Sequence, residues 1–381
     1  MAKLRIGIDA RLLGPADRGL GRYTMELLSI LAPLRKNFDF TVFLHTESTE
    51  ANKIKALGYK IVAAPFRPYS FAEQIYFPKL IRQAKVDLMH FTHFNVPVVC
   101  PVPHIITIHD LILHHFPSRL SSTRSAIQYW SKYLLFRLMF RWVIERAYAI
   151  VAVSSFTAED LHELYPQAEA RLTVIKEPVP DFIEFGANDR NMFLSYTKAR
   201  PYAVVVGAFY PHKNIARLLR CWKSLEKNMD LLLIGREDSF SASLKQMARQ
   251  LNMLDEPGGV RFMGCVNDAD LRAYYDEAAF VIVPSLWEGV GLPGIEAIAR
   301  GAKVISSAAA GLPEAYGTRA YYMPVDNDDN MAQALGRAID RSSPWPSGFS
   351  AEKTISPKEV RESFKKIYSD FIKFSHEEKK I

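Results

Sequence analysis

Residues 284–301 read Pro-Ser-Leu-Trp-Glu-Gly-Val-Gly-Leu-Pro-Gly-Ile-Glu-Ala-Ile-Ala-Arg-Gly and follow the apolar run Ala279–Val283. The run is typical of a buried parallel strand, the glycines and prolines predict a turn, and the spacing after them predicts a helix. The start of such a helix offers unpaired N–H groups and the positive end of a dipole, which suits a phosphate group.

Two carboxylates, Glu288 and Glu296, lie eight residues apart in this stretch. Because carboxylates repel a phosphate, we expect them to bind hydroxyl groups instead. A molecule with hydroxyls on both sides of a diphosphate is a nucleotide sugar, and this is the ligand that the stretch predicts.

Short apolar runs alternate with helical patterns along all 381 residues, which predicts an α/β fold with parallel sheets. The length predicts two domains. The pattern restarts around the polar stretch 186–189, so we place the domains at 1–185 and 186–355, followed by a C-terminal helix and tail at 356–381. Two doubly wound, Rossmann-like domains facing each other leave a cleft between the carboxyl ends of their strands. The predicted strands are Leu4–Asp9, Phe40–Leu44, Lys60–Ala63, Asp87–Phe91, His104–Ile108, Ile150–Ser154, Arg171–Ile175, Ala203–Gly207, Leu231–Gly235, Val260–Met263, Phe280–Pro284, Lys303–Ser306 and Tyr321–Pro324.

The composition, 49% apolar and 23% charged, indicates a soluble globular protein. Its three cysteines are far apart and form no CxxC, which argues against a zinc site or disulfide framework and favours a reducing cytosol. The chain enters a strand at once and contains no apolar run of about 20 residues, so we expect neither a signal peptide nor a membrane span.

The net charge is concentrated in the N-terminal half, where residues 51–150 hold 13 Lys and Arg against 4 Asp and Glu. This balance fits an anionic partner or an ordinary solvated surface. Within it, residues 119–146 interleave basic with aromatic and aliphatic side chains. That pattern fits either a core helix or a helix at the interface of an anionic membrane.

Three further turns stand at predicted strand ends. Gly19 and Gly21 follow a loop and precede a predicted helix, Tyr23–Leu31, so they form either a ligand approach or an ordinary turn. His109 and Asp110 end a buried strand and either face the cleft or cap the next segment. Lys213 lies near a predicted helix start, where the dipole disfavours a cation unless an anion is bound, and Asn214 is a candidate N-cap.

Aspartates at 268, 270, 326, 328 and 329 each stand just before a helical pattern. Helix capping and dipole compensation explain them better than metal binding does. We find no metal constellation, no Gly-x-Ser-x-Gly elbow and no phosphate loop in the sequence, so we expect no metal.

Together these motifs resemble the retaining glycosyltransferases of family 4, which have the two-domain GT-B fold. The resemblance covers nearly the whole chain, and its most specific part is the Glu-x7-Glu motif of Glu288–Glu296. The chain is most similar in look to bacterial mannosyltransferases that build O-antigens and exopolysaccharides. The segments that carry the resemblance are Gly19–Tyr23, His109–Leu111, Pro211–Asn214, Met263–Gly264, Glu288–Ala297, Gly301–Ile305 and Gly311–Glu314.

The resemblance implies a role for each matching residue. Glu288 would contact the donor sugar, Glu296 the ribose, and the amides around Gly291 and Leu292 the diphosphate, assisted by Lys213. His109 would lie beside the donor sugar, and the base would be held near Met263 and Gly264. The implied catalytic residues are His109, Glu288 and Lys213, and the implied donor-binding residues are Gly19, Gly21, Gly207, Lys213, Met263, Gly264, Glu288, Gly289, Val290, Gly291, Leu292 and Glu296.

The chain departs from the family pattern at two positions. Ala208 stands where many members carry Arg, so Lys213 with His212, or Arg18 or Arg22, would neutralise the diphosphate. Val290 replaces the commoner Phe, which changes packing beside the sugar.

The implied function is metal-independent, retaining transfer of a hexose, with mannose from GDP-mannose as the expected donor and a glycan or lipid-linked acceptor. A UDP-sugar is the alternative donor. A nucleotide-sugar epimerase and a non-catalytic nucleotide-sugar- or glycan-binding protein are the alternatives of other kinds. We expect no cofactor and no nucleic acid partner. We expect a cytoplasmic location, with peripheral contact to an anionic membrane. In the fold, we expect the C-terminal helix to cross back to the N-terminal domain.

Overall fold

The computed structural model describes residues 3–13, 18–117, 126–179, 200–225, 228–340 and 355–378. Contacts divide the chain into two compact units. Unit 1 comprises Met1–Leu111, Ser125–Pro178 and Lys353–Ile381, and unit 2 comprises Ile112–Arg124 and Val179–Glu352. The predicted domain boundary at 185/186 lies outside the described residues.

Unit 1 is built on a parallel sheet of seven strands. These are β1 Arg5–Asp9, β2 Asp39–Leu44, β3 Lys60–Ala63, β4 Leu88–Phe91, β5 His104–Ile108, β6 Ala149–Ala152 and β7 Leu172–Val174. They lie in the order β3-β2-β1-β4-β5-β6-β7. The order reverses between β1 and β4, so the carboxyl ends of these two strands form the switch point at which such sheets bind ligands.

Unit 2 repeats the arrangement with six parallel strands. These are β8 Tyr202–Val206, β9 Asp230–Ile234, β10 Val260–Gly264, β11 Phe280–Val283, β12 Val304–Ser307 and β13 Ala320–Met323. Their order is β10-β9-β8-β11-β12-β13, with the switch point between β8 and β11. β9, β11 and β12 are buried along their whole length because helices cover both faces of the sheet, which is why they read as continuous apolar runs.

Helices connect most of the parallel strands, whereas an irregular segment joins β4 to β5. In chain order they are α1 Arg18–Leu31, α2 Ala51–Ala56, α3 Phe71–Ala84, α4 Ile112–His115, α5 Ala126–Arg146, α6 Ser155–Leu164, α7 Ile215–Ser224, α8 Ser239–Gln250, α9 Asp268–Glu277, α10 Leu292–Ala299, α11 Leu312–Tyr316, α12 Asp328–Ile339 and α13 Pro357–Glu378.

The C-terminal helix α13 belongs to unit 1. Tyr368 is fully buried and its hydroxyl lies 2.9 Å from Nδ1 of His90, on β4. Farther along the helix, Phe371 packs edge-on against Tyr148. These aromatic contacts attach the last described helix to the sheet of unit 1.

Every strand that the sequence predicts is present, within two residues at either end. The predicted start of the first helix at Tyr23 is wrong, because α1 begins at Arg18. Two glycines suggested a loop, but the helix is stabilised by tertiary packing. Tyr23 and Leu27 are buried, and Thr24 Oγ1 donates to Thr92 Oγ1 at 3.0 Å.

For residues 119–146 the structure confirms the core alternative in the last turns of helix α5. Its last two turns bury Phe140, Val143 and Ile144 in the core of unit 1. Its earlier turns expose large apolar side chains that are 51–60% accessible, namely Trp130, Leu134, Leu135 and Leu138. Residues 118–125 lie outside the described part. Among the described helices, none has the length and apolar character needed to cross a membrane.

Candidate active site

The switch point of unit 2 brings together the two segments that the sequence analysis singled out. β8 pairs directly with β11, so the turn after β8 lies beside the turn after β11. One narrow cleft is lined by Gly207 and Lys213 from the first turn and by Ser285, Glu288 and Pro293 from the second.

Glu288 is the centre of this cleft. It is buried, and one of its oxygens, Oε1, accepts both from Nζ of Lys213 and from Oγ of Ser285, the latter at 2.7 Å. The backbone is fixed as well, because Gly311 N donates to Glu288 O at 3.0 Å. Burial acts to raise the pKa of Glu288, but Lys213 and Ser285 outweigh it and hold the pKa below its ordinary value. The side chain is therefore a carboxylate at neutral pH.

Lys213 reaches this position through a 3-10 turn rather than from a helix start. The turn spans Pro211–Lys213, and Asn214 follows in the left-handed conformation with a φ of 59°. Asn214 occupies the N-cap position of α7, but its side chain makes no capping hydrogen bond. Asn214 is thus the N-cap by position, as the sequence predicted, without side-chain capping, and the turn before it brings Lys213 to Glu288.

His212 adds structure to the site but no charge. Its carbonyl accepts from Leu286 N at 2.7 Å, which ties the two turns together. Burial, and secondarily the positive charge of Lys213, lowers the pKa of His212 to about 4. The imidazole is neutral at physiological pH, so of these two neighbours Lys213 alone supplies positive charge.

The N-terminus of α10 lies next to this ion pair in the chain. Gly291 is its N-cap with a φ of 73°, and an added Cβ would lie 2.4 Å from the hydroxyl of Tyr316. That hydroxyl donates to Gly291 O at 2.6 Å. A glycine is required here, and the hydrogen bond from Tyr316 holds the carbonyl of Gly291 at the start of α10.

Glu296 lies one turn farther along α10 and is almost fully buried. Its Oε2 accepts from the hydroxyl of Tyr275 at 2.8 Å. The remaining predicted donor residues lie around the same edge. Gly289 and Val290 are buried in the turn before α10, Leu292 is its first residue, and Met263 and Gly264 end β10.

Gly207 and Gly264 leave open space at the carboxyl ends of β8 and β10. Both have positive φ values, 140° and 68°, and an added Cβ at either would meet no atom within 4 Å. Gly235, on the neighbouring strand end, is different, because a Cβ there would lie 2.0 Å from Gly207 O. The sequence analysis missed Gly235, although it follows β9 at the same edge.

The remaining predicted residues, Gly19, Gly21 and His109, lie in unit 1. The two glycines are in the first turns of α1, not in a loop before it. His109 follows β5, and its Nε2 lies 2.9 Å from Thr92 O, so Nε2 carries the proton. Burial lowers the pKa of His109 to about 4, and the ring is a neutral imidazole.

Sequence reasoning missed a buried ionic network at the switch point of unit 1. Arg11, just after β1, donates to Asp9 Oδ2 and to Glu73 Oε1, both at 2.7 Å. Glu73 Oε1 also accepts from Asn95 at 2.6 Å. Arg11 and Asp9 stand at the carboxyl end of a predicted strand. Charged residues at that position are the sequence signal that would have identified them.

The acidic clusters behave mainly as helix starts, but the caps are asparagines. Asn267 accepts from Asp270 N, and Asn327 accepts from Asn330 N, each at 2.8 Å. Asp328 instead forms ion pairs with two arginines of α7. In the part of the chain that the structure describes, no group of three or more His, Cys, Asp or Glu side chains could hold a metal ion.

Solved structures share this architecture over nearly the whole chain. The Anabaena protein HepE, solved with UDP and glucose, is 15% identical with a TM-score of 0.72, and the comparison covers 96% of this chain and 99% of HepE. Sucrose-phosphate synthase from Thermosynechococcus elongatus is 17% identical with a TM-score of 0.68, covering 98% and 99%. Two Rossmann-like units of this kind define the GT-B fold, as the sequence predicted.

Family models place the chain within this class. The model described as Glycosyltransferase Family 4 matches residues 18–181, and the one described as Glycosyl transferases group 1 matches residues 200–341. The chain belongs to glycosyltransferase family 4, which confirms the family predicted from its motifs.

Curated relatives span most of the chain. The O-antigen chain mannosyltransferase RfbU of Salmonella typhimurium is 24% identical over 337 residues, covering 85% of this chain and 88% of RfbU. The O-antigen chain mannosyltransferase B of Escherichia coli is 27% identical over 323 residues, covering 78% of this chain and 81% of that enzyme.

Proposed function

We propose that this glycosyltransferase moves a mannosyl residue from GDP-mannose to a glycan or lipid-linked acceptor, with retention of configuration and without a metal ion, in the synthesis of a surface polysaccharide. The two O-antigen mannosyltransferases, which align with more than three quarters of the chain, support the sugar and the pathway class. The structural basis is the arrangement around Glu288.

The observation that carries the proposal is the ion pair of Lys213 and Glu288 beside the N-terminus of α10. An ammonium group has three donors, and Glu288 takes one, so Lys213 can also serve a diphosphate. The opening amides of α10 add the positive end of a helix dipole. Glu288 is then the acceptor for hydroxyl groups of the sugar, because a carboxylate of lowered pKa accepts but does not donate.

The proposed reaction takes place on one face of the donor sugar. The bond from C1 to the phosphate oxygen breaks, and a bond from C1 to the acceptor oxygen forms on the same face. The acceptor proton passes to the leaving phosphate oxygen, so no protein base is consumed. The residues stabilise charge that develops on the diphosphate, and such preorganised donors are typically worth 10²–10³-fold in rate.

Replacement of Lys213 or Glu288 by Ala tests the site. We expect each variant to transfer sugar about 10²–10³-fold more slowly than the wild type. Lys245→Ala is the matched control. Lys245 lies on α8 and also pairs with a glutamate of unit 2, Glu237, at 2.6 Å, but neither residue belongs to the proposed site. Full activity in both site variants would refute the site assignment.

A UDP-sugar is the second candidate donor, and one observation favours it. HepE, which shares the fold, was solved with UDP and glucose. A thermal-shift screen of GDP-mannose, UDP-glucose, UDP-galactose and UDP-N-acetylglucosamine separates the candidates, because a ligand that binds the native state raises the melting temperature. Stabilisation by a UDP-sugar alone would overturn the GDP-mannose assignment.

Metal independence is tested separately. In the proposal Lys213 and the start of α10 neutralise the diphosphate, so transfer continues at an unchanged rate in excess EDTA. A strict requirement for added Mg²⁺ or Mn²⁺ would contradict this part.

A location at the cytoplasmic face of an anionic membrane completes the proposal. The exposed apolar side chains of Trp130, Leu134 and Leu138 recur every fourth residue and so share one face of α5, and Lys132 and Arg141 are exposed on the same helix. We expect sedimentation with anionic vesicles, weakened in the double variant Leu134→Gln/Leu138→Gln. The control is Val174→Gln, which alters an exposed apolar side chain on β7. Equal lack of binding to anionic and neutral vesicles would refute the contact.

A further inference from the structure

The carboxyl edge of unit 1 carries an aromatic cluster of three side chains, of which the donor-site assignment uses only His109. Tyr69 lies after β3, His93 after β4 and His109 after β5. The hydroxyl of Tyr69 lies 3.1 Å from Nδ1 of His93. The rings of His93 and His109 are nearly parallel, with centroids 6.3 Å apart. Three loops thus place one phenol and two imidazoles side by side where such sheets bind ligands.

The backbone at Tyr69 is strained. Its φ is 63°, a left-handed conformation that bulky side chains rarely adopt. Packing in a core does not explain this conformation, because the side chain is 63% exposed. Strain of this kind persists only where the surrounding structure imposes it, and it is concentrated at functional sites.

The buried network of unit 1 imposes the conformation. Tyr69 N donates to Glu73 Oε2 at 2.6 Å, and the other oxygen of Glu73 accepts from Arg11 and Asn95. Glu73 is inaccessible to solvent, and the guanidinium of Arg11 lies 3.8 Å above the ring of Phe77. A rigid buried assembly therefore ends at the amide of an exposed tyrosine and fixes where its ring stands.

The chemistry of the cluster suits a sugar ring. A phenol has a flat apolar face and a polar hydroxyl, and a pyranose likewise has an apolar C–H face and hydroxyls around its rim. Burial lowers the pKa of His93 to about 3, so its imidazole is neutral. A neutral, hydrogen-bonding and aromatic surface favours an uncharged polyhydroxyl ligand over an anion.

We propose that Tyr69 contacts a pyranose ring of the acceptor, and that Glu73, held by Arg11 and Asn95, is the positioning residue for Tyr69. This inference rests on the proposed function, because it assumes a glycan acceptor.

Tyr69→Gly is the decisive variant. Glycine adopts a φ of 63° without strain, so the change removes the ring and hydroxyl without removing the turn. Lys85→Gly is the matched control, because Lys85 has a φ of 53° at the opposite end of α3 and is also exposed. Both variants should keep or raise the melting temperature.

Binding is measured by saturation-transfer difference NMR with the methyl glycosides of mannose, glucose, galactose and N-acetylglucosamine. We expect the wild type and Lys85→Gly to bind at least one of them, and Tyr69→Gly to lose at least about two thirds of that signal. An equal signal in Tyr69→Gly, or no signal from any glycoside in the wild type, would overturn the inference. The NMR experiment measures binding and does not require sugar transfer. It therefore tests this inference separately from the proposed function, which would fail if the wild type transferred no sugar.

Kinetics test the positioning role. With the transfer assay in hand, Tyr69→Gly should raise KM for the acceptor about tenfold or more and leave KM for the donor unchanged. Glu73→Gln should raise the acceptor KM in the wild type but add nothing in the Tyr69→Gly background, because residues that act through one group are not additive. A full additional effect in the double variant would show that Glu73 does not act through Tyr69.

Discussion

The carboxyl ends of the two sheets carry different chemistry on the same strand order. In unit 2, the ion pair of Lys213 and Glu288 is largely buried and lines the cleft at the switch point, next to the glycine turn at Gly291. In unit 1, the charges of Arg11 and Glu73 are buried beneath the edge.

The two imidazoles that unit 1 presents at that edge are neutral. His93 and His109 both have pKa values lowered by burial, to about 3 and about 4. The comparison indicates a division of labour, in which unit 2 uses charge and backbone amides for a diphosphate and unit 1 uses uncharged rings for a sugar. Each prediction below alters one side of this comparison and measures it against the other.

Loss of the buried charge in unit 1 should have the largest effect. Arg11→Leu leaves the carboxylates of Asp9 and Glu73 without their cation, and breaking a buried pair in this way costs about 3–5 kcal/mol. Arg5→Leu is the control, because the pair of Arg5 and Asp87 is solvent-exposed and worth about 0–1 kcal/mol. The measurement is the free energy of urea unfolding, and similar losses in the two variants would mean that the network does not stabilise unit 1.

The glycine turn of unit 2 should be next. Gly291→Ala forces a side chain into a φ of 73° and within 2.3 Å of Leu312, so we expect a loss of about 3 kcal/mol together with donor binding. Gly301→Ala is matched in φ, at 77°, but its Cβ would meet nothing within 4 Å, so strain alone costs about 1–2 kcal/mol. Thermal unfolding and a donor-binding titration compare the two, and equal losses would show that crowding at α10 is unimportant.

Acid should weaken unit 1 through its buried histidines. His90 is fully buried, and burial lowers its pKa from 6.5 to about 3. A folded pKa below the unfolded one means that its contribution to stability is complete above pH 6.5 and falls as pH drops toward 3. The expected loss between pH 7 and pH 5 is about 2 kcal/mol from this residue. Hydrogen exchange of β4 and β5 in the wild type and His90→Gln measures it, and the same pH dependence in both would contradict the assignment.

Local patterns in the sequence were sufficient to predict the strands, because a fully buried strand is a continuous apolar run wherever it lies. They were also sufficient for the turn after β11, where Glu288 and Gly291 are neighbours. The pair of Lys213 and Glu288 joins residues 75 apart, and that of Arg11 and Glu73 joins residues 62 apart. Only Lys213 and Glu288 were expected to share a site, and this expectation came from the resemblance to a family. Arg11 lies in none of the segments that carry the resemblance.

At the start of α1, a local pattern predicted the wrong structure. Gly19 and Gly21 have poor helix propensity, and this suggested a loop. Propensity is a weak preference that packing of Tyr23, Thr24 and Leu27 overrides. Tyr69 could not be predicted either, because its left-handed backbone depends on an amide contact to Glu73 that only the folded chain creates.

The smallest effect should come from removing one tyrosine hydroxyl in either unit. Each of the two hydroxyls donates a hydrogen bond to a backbone carbonyl. Tyr316 donates to Gly291 O in unit 2, and Tyr59 donates to Leu28 O in unit 1, each at 2.6 Å and each buried. Phe in either place removes one hydrogen bond to a buried carbonyl, which costs about 1 kcal/mol of stability.

Only the carbonyl of Gly291 lies at the start of α10, so only Tyr316→Phe should also raise KM for the donor, by about fivefold if the same 1 kcal/mol is lost in binding. Thermal unfolding and donor kinetics on both variants provide the measurement. An equal rise in donor KM for Tyr59→Phe would mean that the two edges are not separate in function. An unchanged donor KM in Tyr316→Phe would mean that the amides of α10 hold their position without that hydroxyl, and the rigidity of the turn would then depend on Gly291 and the buried Glu288 alone.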